Sequence, residues 1–179
     1  MTPSAPNGER EVSETSETLT LKPISRGAIP RALERAERYR LLNDPEQAES
    51  ICLDVLATDP GEQGAIVMLV LSITDRFGRG DASASGRARE YIAGLHDPYQ
   101  RLYYQGLVHE RLARASLARP MGATFAYDGL RAAMECYEQA SPMGPDDENE
   151  AILRWNSCLR TIRRAHLHPV PAQVEQPLE

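Results

Sequence analysis

The chain has 179 residues, 41% of them hydrophobic, and a formal charge of −6 at pH 7. That length suits one domain with a sizeable core, and the negative charge argues against nucleic acid as a main ligand, because phosphate binding needs a basic surface. The longest apolar run, residues 65–73, is about half of what a membrane span requires, and no charged-then-apolar signal segment opens the chain. A soluble, cytoplasmic protein with no membrane partner is the expectation.

Residues 1–26 are rich in Ser, Thr, Pro and Glu and lack an apolar period. They read as a disordered N-terminal leader. A helical domain is expected over 27–165, and HLHPVPAQVEQPLE, residues 166–179, reads as a Pro-rich disordered tail.

Residues 29–62 read as two short helices with a tight turn between them. Ala36 and Tyr39 share a face of the first helix, and Ala48, Cys52 and Val55 share a face of the second. Asn43-Asp44-Pro45 separates the two, with Asp44 as N-cap and Pro45 at the first helical position, where its missing N–H costs nothing. Asp59-Pro60 ends the second helix, since the residue before proline is pushed out of the α region. Ala32, Ala36, Tyr39, Ala48, Cys52, Val55 and Pro60 fall at spacings that resemble the tetratricopeptide repeat, a helix–turn–helix unit of about 34 residues. The small, Tyr, Ala and Pro slots match; the first large slot and the second aromatic slot do not. One unit cannot bury its own apolar face, so neighbours are expected.

Residues 63–98 read as a second, degraded repeat. Ile66, Leu69, Val70 and Ile73 mark its first helix, and Ala88, Ile92 and Leu95 its second. Between them RFGRGDASASG, residues 76–86, is a joint longer than the family turn by about six residues. Residues 99–145 form a third repeat. Leu102, Gly106 and His109 take the large, small and aromatic slots, and Ala133, Tyr137, Ala140 and Pro145 complete the second helix. About fifteen extra residues between the halves correspond to roughly two added turns on each helix. A long antiparallel hairpin with its tip near Pro120–Thr124 is therefore predicted. Residues 146–165 read as a last helix, with Asp146, Asp147, Glu148 and Glu150 at its start and Arg160, Arg163 and Arg164 at its end, a polarity that complements the helix dipole. It would cap the stack. The expected fold is all-α, a tetratricopeptide-like solenoid of about three repeats plus a C-terminal capping helix.

Catalytic chemistry finds little support. Cys52, Cys136 and Cys158 have neither disulfide nor metal-site spacing and read as buried thiols. His109 and Glu110 are adjacent and point about 100° apart on a helix. His109 reads as a packed residue, His96 as a turn residue, and His166 and His168 as tail. No zinc-protease, phosphate-loop or nucleophile-elbow motif occurs. No catalytic, metal-binding or cofactor-binding residue is expected, and no cofactor.

The family resemblance implies a protein or peptide partner, held in a concave groove lined by the first helices of successive repeats. The corresponding positions are Leu33, Glu37, Arg40 and Leu41, then Val67, Leu71, Thr74 and Asp75, then Tyr103, Leu107, Glu110 and Arg111. Tyr103 and Leu107 are the expected anchors and Tyr39 an expected core residue. The projecting tip around Met121 and Phe125 is the alternative binding place. Family members that clamp a chaperone's C-terminal carboxylate use Lys and Asn in the groove; here Glu34, Met68 and Tyr104 stand there and only Asn156 resembles the clamp. The resemblance implies a scaffold or adaptor. A dedicated chaperone or assembly factor is the alternative, a small enzyme or accessory subunit the third reading, and a homo-oligomer is compatible with each.

Overall fold

The computed structural model describes residues 19–145 and 149–169. The expectations for residues 1–18, 146–148 and 170–179 lie outside these. Among the described residues are seven α-helices and no strand: α1 (Ile29–Leu41), α2 (Pro45–Thr58), α3 (Gln63–Asp75), α4 (Ala84–Ala93), α5 (Pro98–Leu117), α6 (Gly122–Ala140) and α7 (Glu150–Arg164).

Three helices start on acidic side chains. Asp44 accepts from the Gln47 N–H at 3.2 Å, Glu62 from Gly64 at 2.9 Å and Asp97 from Tyr99 at 2.9 Å. Each satisfies a backbone donor that the first helical turn leaves free, worth about 1 kcal/mol. Pro45 and Pro98 then occupy first-turn positions where no N–H is needed.

Each helix packs on its neighbours in sequence, and α3 also touches both α1 and α5. The α5–α6 pair is antiparallel. A Cβ on Gly106 would meet the Tyr137 ring at 2.7 Å, one on Gly129 would meet Ala113, and one on Gly122 would strike the Ser116 carbonyl. The small slot at Gly106 thus lets α6 approach as closely as the sequence predicts. Alternate helices run parallel: Leu33 lies against Gly64 while Arg40 reaches Asp75, and Gln63 binds the backbone of Gly94 and His96 while Asp75 reaches Arg111.

The core has two main parts. Ala36, Ala48, Cys52, Leu69, Ile73 and Ile92 belong to one, under the first two hairpins. Leu130, Ala133, Met134, Tyr137 and Cys158 belong to the other, between α5, α6 and α7. Small residues at the contact points let helices approach, and each fully buried Leu or Ile contributes about 1.5–3 kcal/mol.

The inserted residues of the third hairpin are helical, extending α5 to Leu117 and starting α6 at Gly122. Tyr39 is not the buried residue that its slot predicts: it is 38% exposed. No described α-helix precedes α1 to cover that side, so the ring lies on the open end of the stack. Leu167, expected in the tail, is buried against the third hairpin and α7, so packing continues past residue 165.

Candidate functional site

The twelve positions expected to line a groove fall on α1, α3 and α5, and the structure divides them sharply. Arg40 donates through Nε to Asp75 Oδ2 at 2.6 Å. Arg111 donates through Nη1 to Asp75 Oδ1 at 2.5 Å, to Thr74 Oγ1 at 2.7 Å and to the Leu71 carbonyl at 3.2 Å. One carboxylate on α3 therefore bridges α1 and α5. Burial pulls the Arg111 pKa down, while Asp75 acts against that shift.

Glu110 is only 2% exposed. Its Oε1 accepts from Arg114 Nε at 2.9 Å and lies 3.6 Å from Arg154 Nη1; its Oε2 accepts from the Tyr137 hydroxyl at 2.8 Å. Arg114 also donates to Ser157 Oγ at 3.0 Å. Tyr103 donates to Glu150 Oε2 at 3.3 Å and accepts from Arg154 Nε at 3.4 Å. The second network so joins α5, α6 and α7. Burial, reinforced by Glu110, pushes the Tyr137 phenol upward, keeping it protonated as the donor.

Leu107 is 1% exposed and Thr74 is buried, so neither offers a surface to a partner. Leu107 lies one turn from Tyr103, which meets Glu150 and Arg154 of α7, and one turn from Arg111, which meets Thr74 and Asp75 of α3. Tyr103 is half-buried, stacked on Tyr99 and edge-on to Tyr104. Leu33, Val67 and Leu71 are half-buried, whereas Glu37 is exposed and Leu41 is 76% exposed. The structure brings Arg40, Thr74, Asp75 and Arg111 together, and turns Glu110 and Leu107 inward. Met121 and Phe125 stand exposed at the hairpin tip.

A third network was not singled out in the sequence. Glu49 on α2 is buried between Arg76, at 2.6 Å from Nη2, and Arg87 on α4. The long 76–86 joint thus carries an arginine back to the first hairpin. Its only sequence signal is the arginines in and just after the joint, Arg76, Arg79 and Arg87, set against Glu46 and Glu49 on α2.

In these clusters the charged groups pair with one another. Burial raises the Cys52 and Cys158 thiols to about 12, with Glu49 and Glu110 adding to the effect. Neither is a thiolate near neutrality, and the thiolate is the reactive form. Burial, with Arg89 adding to it, lowers the His109 pKa. No group of three His, Cys, Asp or Glu side chains among the described residues is placed to hold a metal ion, and no described helix is long and apolar enough to cross a membrane. Compared with known proteins, the chain matches no family model, no curated protein and no solved structure.

Proposed function

We propose that this chain is an interaction scaffold of the tetratricopeptide type, which holds a protein or peptide segment against the face made by α1, α3, α5 and α7. One observation carries the reading. Arg40–Asp75–Arg111 and Glu110–Arg154 tie alternate helices side by side into one surface, so that elements distant in sequence move together. A scaffold needs such a preorganised face, because ordering it on binding would weaken affinity. The charges on this face are largely matched among themselves. Exposed apolar side chains at its two ends, Leu41 on α1 and Leu153 on α7, are then the anchors for a partner.

The test is affinity capture by the native chain and by the double variant Leu41→Asp, Leu153→Asp. Both positions are exposed, so thermal stability should stay within a few degrees of native. Capture should fall by tenfold or more, about 1.4 kcal/mol. Undiminished capture by a folded variant removes this face as the binding surface.

A further inference from the structure

At the opposite side of α1 from Arg40 the stack ends in an open groove. It consists of two adjoining cavities that share Arg35 and Tyr39. The larger is about 390 Å³, with Ile24, Ala32 and Ile51 in its wall; the smaller is about 260 Å³ and reaches Arg38 and Leu42. The apolar floor is flanked by Arg31, Arg35 and Arg38, and the only carboxylate in either lining is Asp54 on α2. None of these three arginine side chains has an ion-pair or hydrogen-bond partner among the described residues. That contrasts with Arg40, Arg76, Arg87, Arg111, Arg114 and Arg154, all of them paired with carboxylates.

The chain itself holds a segment of matching chemistry. EREVSETSET, residues 9–18, carries Glu9, Glu11, Glu14 and Glu17 against Arg10 alone, with Val12 as an apolar side chain among them. Ile24 is fixed at the groove mouth, where its carbonyl accepts from Thr58 Oγ1 at 3.3 Å. From there back to Glu9 an extended chain reaches about 50 Å. The groove runs along α1 from Ala28 to Tyr39, about 16 Å of helix. The acidic segment is thus tethered beside a cationic, apolar-floored groove with length to spare, and tethering gives it a high effective concentration there.

We infer that residues 9–18 of this chain occupy the α1–α2 end groove, with their glutamates on Arg31, Arg35 and Arg38 and Val12 toward the Tyr39–Ile51 floor. The contact covers the end of the stack as a capping helix would. It concerns a different face from the proposed scaffold surface and does not depend on it.

Two experiments on the full chain test this. Lys22 is the only lysine, so Arg35→Lys places one new amine in the groove. A zero-length carbodiimide joins amines to carboxylates in contact. Peptide mapping of the monomer should find the introduced amine joined to Glu11, Glu14 or Glu17. Joining to Asp54 or to α1 carboxylates alone overturns the inference. A leader link found only in covalent dimers also overturns it, since the occupant is then a second copy.

The second experiment uses a labelled peptide of residues 7–21 and fluorescence anisotropy. A full chain with Glu9, Glu11, Glu14 and Glu17 changed to Lys should bind the peptide at least tenfold more tightly than the native chain, whose groove is filled. Adding Arg31→Glu and Arg35→Glu should abolish that binding. Equal affinity for native and lysine-substituted chains, or no binding by either, overturns the occupant named here. Equal affinity would mark the groove as open to a foreign acidic segment.

Discussion

The Tyr137 hydroxyl donates to Glu110 Oε2 at 2.8 Å, and both side chains are buried where α5 and α6 meet. The other oxygen of the same carboxylate is held by Arg114 and Arg154. A buried carboxylate is tolerated only when it is paired and its lone pairs are satisfied. Here partners on α5, α6 and α7 supply that, so this one carboxylate adds to the contacts that hold α7 on the third hairpin. Replacing Tyr137 with Phe keeps the ring against Gly106 but removes one donor from a buried anion. Stability should fall by roughly 1–3 kcal/mol in urea denaturation. A change below about 0.5 kcal/mol would mean that water or another donor takes the hydroxyl's place.

The Gly106–Tyr137 contact gives a second prediction. A Cβ at residue 106 would lie 2.7 Å from the Tyr137 ring, a distance real side chains do not tolerate. The ring cannot simply turn away, because its hydroxyl is held by Glu110. Gly106→Ala raises intrinsic helix propensity, yet overpacking should dominate and cost about 1–3 kcal/mol. Combining it with Tyr137→Leu should recover part of the loss. A stabilised single variant would show that α5 and α6 have room between them.

His109 gives the pH dependence. Burial, with Arg89 adding to it, depresses its pKa in the folded protein. The unfolded chain therefore takes up the proton first as pH falls. The stability tied to this residue is fully present above about pH 6.5, the unfolded value. It is lost as pH falls from there through the lower folded value. His109→Gln should flatten the slope of stability against pH between about 7 and 5. An unchanged slope would assign the acid sensitivity to carboxylates.

Helix positions were largely legible in the sequence, because they rest on local signals. Asp44-Pro45 starts a helix through a short-range hydrogen bond and a fixed φ, and the apolar stripes of α3 and α6 recur at helical spacing, whereas Pro98, the expected end of the second repeat, begins α5. The extra residues of the third hairpin, expected as added turns on each helix, are helical. Exposure was less legible, because it depends on which helix lies over a face. Tyr39 sits in a slot that a preceding helix would cover, and no described α-helix does so. Leu107 and Glu110 sit in positions that would face a groove in the repeat pattern, but both are buried, Glu110 among Arg114, Tyr137 and Arg154. The Glu110–Arg114 pair is local, at i, i+4 spacing. Its partners on α6 and α7 lie too far along the chain for any local pattern to announce.

The sharpest division between those twelve positions lies at Leu41 and Leu107. Repeat spacing treats them alike, as apolar residues on a first helix, facing a partner. In the structure Leu41 is 76% exposed at the end of α1, and Leu107 is 1% exposed in the middle of α5. A buried leucine truncated to alanine loses its transfer free energy and leaves a cavity, about 2–5 kcal/mol together. An exposed one has little to lose, and alanine's better helix propensity offsets even that, so the change should stay within about 0.5 kcal/mol. Urea denaturation of the two single variants separates them directly. Leu107→Ala should unfold at markedly lower urea, and Leu41→Ala close to native. The reverse pattern would place the buried side of α5 one helix face away from where it is described. Partner capture should respond in the opposite sense: Leu41→Ala weakens it in a fully folded protein. Leu107→Ala weakens it only to the extent that the folded fraction falls.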